Sequence, residues 1–368
     1  MKHVSAINRR AFLKGAGLSF GAMLSNTSFA SISKSDHLFA SAYKDRIGNF
    51  GVLLFDEFGN SVSHFALPGR GHDITFHRAT NIGVAFARRP GNFALCFDVT
   101  SKIPPQTIIA EPGRHFYGHG VFSRNGRLLY SAENDYEAAK GVIGIYDAAE
   151  GFRRVGEFSS YGIGPHQILL HPFKDVLIVA NGGIETHPDF GRAKLNIPSM
   201  RPSLVFLDSS DGCLIESHEL PISLHKLSIR HLDIDWRGKV VFGCQYEGAR
   251  SDAPPLAGTV ALGEEIQLWE PKVPARLSYA NYVGSVSISE DGEHVAVTLP
   301  KDDKIAVMRT GDGTILDVHS VTSGFGVTSA KSTFLVSSEE GKILDVASRK
   351  ILTGNEVIFD NHIGALYR

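Results

Sequence analysis

The stretch GHGVFSRNGRLLYSAENDYEAAKGVIGIYD, residues 118–147, shows the unit from which this chain is built. A lead-in, Gly118-His119-Gly120, is followed by two apolar runs with a turn at Asn125-Gly126 between them. After a polar loop, a third apolar run ends in Asp147. Short apolar runs separated by turn-forming residues are typical of antiparallel β-strands. The stretch therefore predicts a small sheet, with a fourth strand after the aspartate.

This unit recurs at intervals of 47, 47, 65, 54, 40 and 37 residues, measured between lead-ins. Four strands with short turns need about 40 residues, which is the length of a propeller blade. The two long intervals contain insertions at 185–202 and 248–263. The pattern predicts an all-β, seven-bladed β-propeller with WD40- or YVTN-like repeats. The lead-ins are Gly71-His72, Gly118-His119, Pro165-His166, Arg230-His231, Gly284-Ser285, Gly324-Phe325 and Asn361-His362.

The seventh unit is divided between the two ends of the chain. Only its first strand follows the last lead-in, whereas residues 37–67 supply three strands with no first strand ahead of them. We therefore expect the N-terminal strands to pair with the C-terminal strand and close the ring. Closure removes the free sheet edges that an open arrangement would expose.

The N-terminus is typical of an export signal. Arg9 and Arg10, followed by Ala-Phe-Leu-Lys and a short apolar stretch, resemble a twin-arginine signal that ends near Ala30. The interpretation predicts a signal peptide over residues 1–30, a single propeller domain over 31–368 and a periplasmic location. A Sec-type signal is the alternative.

The amino-acid composition argues against several classes of partner and site. Removing residues 1–30 takes away four basic residues and moves the formal charge from −2 to −6, which gives no reason to expect nucleic acid as a partner. No later segment is apolar for 18 residues, so no membrane span is expected in the mature chain. The cysteines Cys96, Cys213 and Cys244 show no metal-binding spacing and are interpreted as three buried thiols.

Five of the seven lead-ins place a histidine at the same position of the repeat. The first strand of a blade lines the central channel, so these side chains should converge at one height. We call them the histidine ring: His72, His119, His166, His231 and His362. His77 and His171 follow ring members by five residues, which is about 16 Å along a strand, and should lie at the far turns.

Loops after the second strands should overhang the same channel mouth, because the strands of a blade are antiparallel. The side chains near the mouth predict a polar funnel above the ring, in which the acidic members Asp73, Glu133 and Glu247 would orient imidazoles. The predicted funnel residues are Arg70, Asp73, Arg88, Arg89, Tyr117, Glu133, Asn181, Arg230, Tyr246 and Glu247.

Converging imidazoles are ligands for iron, copper, zinc and nickel. The ring is therefore interpreted as a site for a transition metal, iron or copper in particular, or for haem. Two other interpretations stay open. The histidines could bind water, backbone and one another, or they could become protonated and hold an anion.

The arrangement resembles a bacterial family of proteins of unknown function. Besides the twin-arginine start, the resemblance is carried by Gly69-Arg70-Gly71-His72-Asp73, Tyr117-Gly118-His119-Gly120, Gly164-Pro165-His166-Gln167 and Ile229-Arg230-His231-Leu232. It implies a periplasmic propeller whose gene accompanies imelysin-type iron-uptake proteins, and hence partners in iron acquisition. It implies no particular reaction.

Three functional classes follow. The first is a metal- or haem-binding accessory protein of iron acquisition. The second is a channel-mouth enzyme of the lactonase or lyase type, although the chain contains no G-x-S-x-G nucleophile motif. The third is a non-catalytic scaffold for protein interactions.

Overall fold

The computed structural model describes residues 37–270 and 280–367, which form seven antiparallel sheets arranged as a β-propeller. The predicted fold class is confirmed. Innermost strands of successive blades contact one another around the channel. The predicted signal peptide, residues 1–30, lies outside the described residues. Among the described residues, no helix has the length and apolar character needed to cross a membrane.

The strands are numbered in chain order, and blade 1 is the first blade that is continuous in sequence. Three strands of blade 7 come first: β1 His37–Asp45, β2 Phe50–Asp56 and β3 Ser61–Leu67. Blade 1 contains β4 Gly71–His77, β5 Ile82–Ala87, β6 Phe93–Asp98 and β7 Gln106–Ile109. Blade 2 contains β8 Arg114–Phe122, β9 Leu128–Asp135, β10 Lys140–Asp147 and β11 Arg153–Ser159. Blade 3 contains β12 Pro165–Leu170, β13 Val176–Asn181, β14 Ser203–Asp208 and β15 Leu214–Glu219.

Blade 4 contains β16 Leu227–Ile234, β17 Val240–Tyr246, β18 Ala257–Val260 and β19 Gln267–Leu268. Blade 5 contains β20 Ser285–Ile288, β21 His294–Leu299, β22 Lys304–Arg309 and β23 Ile315–Ser320. Blade 6 contains β24 Gly324–Ala330, β25 Thr333–Ser338, β26 Lys342–Asp345 and β27 Lys350–Gly354. Blade 7 is completed by β28 Val357–Phe359 and β29 Gly364–Tyr367. Short 3-10 helices occupy Ala148–Glu150, Pro188–Phe190, Ile197–Ser199, Ile222–Leu224 and Arg250–Asp252.

Pairing of the two chain regions closes the ring as predicted, but with one difference. The innermost position of blade 7 holds two short strands, β28 and β29, instead of one. Both pair antiparallel with β1, at Tyr43 opposite Phe359 and at Leu38 opposite Leu366. Residues 360–363 leave the ladder between them and bring His362 to the channel.

The aspartate that ends the third strand of the repeat has a local structural role. Asp98 accepts hydrogen bonds from the backbone nitrogens of Thr100 and Lys102 at 2.8 and 3.0 Å. Asp147 and Asp208 accept comparable bonds in their own blades. Short carboxylates that bind the backbone two residues ahead stabilise a turn, so this part of the repeat encodes the connection to the fourth strand.

Apolar side chains fill the spaces between blades. Phe65 of blade 7 packs on Phe97 of blade 1, with ring centroids 4.5 Å apart. Phe86 and Phe116 join blades 1 and 2 with centroids 5.8 Å apart. Cys96 and Cys244 are buried in these layers, but Cys213 is exposed. The prediction of three buried thiols is wrong for Cys213, because it lies in the turn that precedes β15.

Candidate metal centre

Irregularities in the innermost strands turn the histidines toward the channel. The β4–β5 ladder is interrupted between Gly71 and Ile74, where His72 lies, and the β12–β13 ladder is interrupted around His166. His119 lies in a similar interruption of β8–β9, and His231 directly follows one in β16–β17. His362 lies in the gap between β28 and β29. A β-bulge re-aims a side chain, and these four irregularities, together with the gap that holds His362, direct five imidazoles to one place.

The five imidazoles form a contiguous cluster. Ring centroids of members on adjacent blades lie 4.7–4.9 Å apart, from His362 through His72, His119 and His166 to His231. His231 and His362 complete the circle at 4.9 Å. His119 has all four other rings within 6.2 Å of its own centroid. His119 is therefore the central member of the histidine ring.

Several ring nitrogens are buried without a hydrogen-bond partner. They are Nδ1 of His72, His166 and His231, and Nε2 of His119, His231 and His362. His72 Nδ1 faces Asp360 at 3.6 Å, and His362 Nδ1 lies 3.4 Å from the Ser285 hydroxyl. Buried polar atoms normally have partners, because leaving one unsatisfied costs about 1–3 kcal/mol. The ring therefore brings several unpartnered nitrogen atoms, each a possible metal ligand, to one point.

Asp73 fixes the orientation of the central histidine. Its Oδ2 lies 2.9 Å from His119 Nδ1, so that nitrogen donates and Nε2 carries the free lone pair. Burial alone would raise the pKa of the Asp73 carboxyl, but its interaction with His119 outweighs burial and lowers the pKa below its ordinary value. A carboxylate behind an imidazole is the usual support of a metal-binding histidine.

The close packing of the histidine ring requires a glycine at position 118. Its φ of +105° lies in the region that favours glycine, and a Cβ there would approach His72 Cδ2 to 2.4 Å. The glycine that precedes His119 thus allows the ring of the neighbouring blade to lie directly against the backbone.

Two sets of three histidines have geometry suitable for an ion. His72, His119 and His362 form one set, and His119, His166 and His231 form the other, with ligand atoms within 4.8 Å of one another in each. Imidazole nitrogens bind zinc at about 2.0–2.1 Å, so ligand nitrogens around an ion would be somewhat closer than this.

A cavity of about 220 Å³ lies above the ring, and we call this cavity with its lining the funnel. The rings of His72 and His166 contribute to it, and five cationic side chains surround it: Arg88, Arg89, Arg192, Arg230 and Lys301. No Asp or Glu belongs to the part of the lining that the structure describes. Asn361, Tyr117 and Tyr282 supply uncharged polar groups.

Comparison with known proteins gives a family. The model named "Protein of unknown function (DUF1513)" matches residues 65–366, which is more than half of the chain. The chain belongs to the DUF1513 family. A chain of Kuenenia stuttgartiensis hydrazine synthase is similar in structure, with 11% sequence identity and a TM-score of 0.61, over 84% of this chain and 89% of that chain. At this identity the similarity concerns the fold alone. No curated protein matches this chain.

The structure of this DUF1513 chain brings part of the predicted site together. Of the predicted funnel residues, Arg88, Arg89, Tyr117 and Arg230 line the cavity. Arg70 and Arg88 bind Asp360 beside the cavity, the latter at 3.1 Å. Asp73 lies behind His119. Glu247 forms an ion pair with Lys194 and lies 3.9 Å from the funnel residue Arg230, so it contacts cations and does not orient a histidine.

Three predicted residues lie elsewhere. The placement of Glu133 at the mouth is wrong, because its carboxylate is buried in blade 2, where Ser131, Tyr146 and Arg154 bind it at 2.7, 2.7 and 3.1 Å. Asn181 donates to the Ser160 carbonyl at 2.7 Å and does not line the cavity. Tyr246 donates to Asp252 at 2.7 Å within an insertion. Their positions in the repeat predict that these residues lie near the mouth, but in the structure their side chains point to other partners.

Sequence reasoning missed Arg192, Tyr282 and Asp360. Arg192 comes from the long insertion of blade 3, whose path the repeat does not determine. Asp360 directly precedes the last lead-in, and its carboxylate contacts both His72 and Arg88. The Asp360-Asn361-His362 run was the available signal, since it places an acid two residues before a ring histidine.

Burial keeps four of the five ring histidines neutral. Burial first, and repulsion between rings second, lowers the pKa of His72, His166 and His231 well below the ordinary value. The same causes lower the pKa of His362 to about 3. Neutral imidazoles are the form that binds metal, so the folded chain holds these ligands ready at neutral pH.

We expect the metal-free protein to lose stability steeply below pH 6.5. These four histidines take up protons near pH 6.5 in the unfolded chain but stay neutral to much lower pH in the folded chain, so the free energy of unfolding falls as pH falls. Each such histidine should contribute about 2 kcal/mol of this loss by pH 5. Urea unfolding in EDTA at pH 7.5 and pH 5 measures it. His166→Gln should reduce the difference between the two pH values, and an unchanged difference would contradict the prediction.

Proposed function

We propose that this DUF1513 protein binds one transition-metal ion in the histidine ring and acts as an accessory protein of iron acquisition in the periplasm. The proposal has three parts, which are the ion site, the number of ions and the cellular setting.

The observation that carries the ion site is the state of His119. One nitrogen of this imidazole is held by Asp73 at 2.9 Å, and the other is buried with no partner. A histidine with only a structural role would normally have both ring nitrogens hydrogen-bonded. His119 instead has an unpartnered Nε2 and lies among four other imidazoles. The arrangement matches a ligand supported by a carboxylate, as metal sites in proteins commonly are.

The shared histidine argues for a single ion. Both sets of three contain His119, and its Nδ1 is engaged by Asp73, so only Nε2 is free to bind. One nitrogen cannot serve two separate ions. The two sets are therefore alternative positions of one ion, or parts of one site in which more than three imidazoles contribute.

The dimensions favour a bare ion over haem. Ring centroids 4.7–4.9 Å apart leave no room for a porphyrin inside the cluster. The funnel, at about 220 Å³, lies below the 300–1,000 Å³ typical of pockets for drug-sized ligands. The donor set is all imidazole, which suits iron, copper or zinc and not magnesium or calcium.

The cellular setting rests on the sequence. Arg9-Arg10 supports twin-arginine export to the periplasm, and the family resemblance supports iron acquisition beside imelysin-type proteins. Recovery of the mature chain in the periplasmic fraction would check the location.

Metal titration tests the proposal. The protein is purified without a histidine tag, stripped with EDTA and titrated with anaerobic Fe(II), Cu(II) and Zn(II), and bound metal is measured by elemental analysis. We expect about one equivalent of at least one of these metals per chain, with a rise in melting temperature, since binding to the folded state stabilises it. Less than about a tenth of an equivalent of each, the level of adventitious binding, would contradict the proposal.

A further inference from the structure

The funnel carries a concentration of positive charge that the metal site does not use. Its five cations come from separate elements around the cavity. Arg88 and Arg89 follow β5, Arg192 belongs to the insertion of blade 3, Arg230 lies in β16 and Lys301 follows β21. The mature chain is formally acidic, so this cluster is a local feature and not a consequence of the overall charge.

Protein carboxylates neutralise only part of this charge. Asp360 pairs with Arg88 at 3.1 Å, and Glu247 approaches Arg230 to 3.9 Å. Arg89, Arg192 and Lys301 form no ion pair with the residues that the structure describes. Lys301 instead lies over the ring of Tyr282 at 5.2 Å.

Holding these cations close together is electrostatically unfavourable. Burial, only partly offset by Tyr117, and repulsion from Arg230 lower the pKa of Arg89 to about 10. Burial and repulsion from Lys194, only partly offset by Glu247, lower the pKa of Lys301. An anion in the cavity would relieve both effects, because it supplies the opposite charge that the protein lacks there.

We propose that the funnel is a binding site for a small polycarboxylate anion, held by Arg89, Arg192 and Lys301 directly above His72 and His166. The cavity volume limits the ligand to a few carbon atoms. Guanidinium groups bind carboxylates through paired hydrogen bonds, and Asn361, Tyr117 and Tyr282 can bind hydroxyl or carboxyl oxygens.

The spread of the cations favours several carboxylates over one phosphate. A phosphate carries its charge on oxygens grouped around one phosphorus and suits a site whose donors converge on a point. Here the unpaired cations stand on three different elements around the cavity, so a ligand with separate anionic groups can reach them simultaneously. Carboxylate oxygens are also ligands for metal ions.

A coupling between the two sites follows, and this part rests on the proposed function. Because His72 and His166 belong to both the funnel and the ring, an anion in the funnel lies next to an ion bound by the ring. One of its carboxylates would then complete the coordination of an ion that has only imidazole ligands from the protein. Binding of the two ligands should be mutually favourable.

Calorimetry on the metal-free protein tests the anion site without depending on metal. Citrate is the probe, and its neutral trimethyl ester, acetate and inorganic phosphate are compared with it at constant ionic strength. We expect citrate to bind once per chain and at least about tenfold more tightly than phosphate or acetate, because those two anions form fewer charge-assisted hydrogen bonds with the separated cations. The ester should show no binding.

Two variants and one control locate the site. Arg89→Gln and Lys301→Gln should each weaken citrate binding about tenfold or more. Arg237→Gln is the matched control, because this arginine pairs with Glu293 at the opposite end of β16 and should leave citrate binding unchanged.

The outcomes separate the two proposals. Citrate binding that weakens in both variants supports the anion site, even in a protein that takes up no metal. Citrate binding no tighter than that of phosphate, or insensitive to both variants, overturns the anion site and leaves the metal result standing.

Discussion

Replacing His119 by alanine is expected to abolish metal binding. This histidine is the member shared by both sets of three, and its removal leaves each with two imidazoles. The loss of metal affinity should exceed the 10- to 100-fold that is typical when a hydrogen-bond partner of a metal ligand is removed. Asp73→Asn keeps the side-chain shape but weakens the hydrogen bond to His119, so its loss of affinity should fall within that range. Affinity is measured by competition with a chromogenic chelator.

Single variants of the other ring members identify the set in use. His72→Ala leaves His119, His166 and His231 intact, and His166→Ala leaves the other set intact. The variant with the larger loss belongs to the set that holds the ion. The matched control is His77→Ala, since His77 lies in β4 but at the far turn beside Thr80, away from the ring. Wild-type affinity in His119→Ala would rule out the ring as the metal site.

Deleting residues 357–368 is expected to destabilise the whole propeller. The deletion removes β28 and β29, which pair with β1 and close blade 7. Phe359, Ile363 and Leu366 are at most 7% exposed, so their loss forfeits about 5–9 kcal/mol, against a total stability of roughly 5–15 kcal/mol. The melting temperature should fall by about 10–30 °C, or the chain should fail to fold.

Point variants separate the destabilisation caused by lost side-chain packing from that caused by removing a segment of the chain. Phe359→Ala should cost about 3–5 kcal/mol because its side chain is buried, while Ile358→Ala should cost much less. Ile358 is the matched control because it lies in the same strand and is 43% exposed. A truncated protein that melts like the intact one would mean that the terminal strands do not hold the ring closed.

The fold was predictable from the sequence because a propeller is a repeated local pattern. Each blade is encoded by short apolar runs and by turns, and most blades also have an aspartate such as Asp98 or Asp147 that binds the following backbone. The split seventh blade followed from counting, since residues 37–67 lacked a first strand and the C-terminus supplied one. The ring histidines followed from the same register, because one position of a repeat faces the channel in every blade.

Details that depend on neighbouring blades were not predictable. The repeat predicts both Glu133 and Arg89 at the channel mouth, yet Glu133 lies within β9 and turns into blade 2 toward Tyr146 and Arg154. Arg89 follows β5 and lines the funnel. Arg192 reaches the funnel from an insertion that has no counterpart in the repeat.

The sequence by itself determined the all-β class, the number of blades, their closure and the convergence of five histidines, because those properties are set by periodicity and strand direction. Only the tertiary structure decided which nitrogens are left without partners, that Asp73 supports His119 and that the funnel cations outnumber their carboxylates. These depend on side-chain direction at the bulges and on contacts between residues such as Asp360 and Arg88 that are far apart in the chain. Such contacts leave no local pattern, since each side chain is placed by the packing of a different blade.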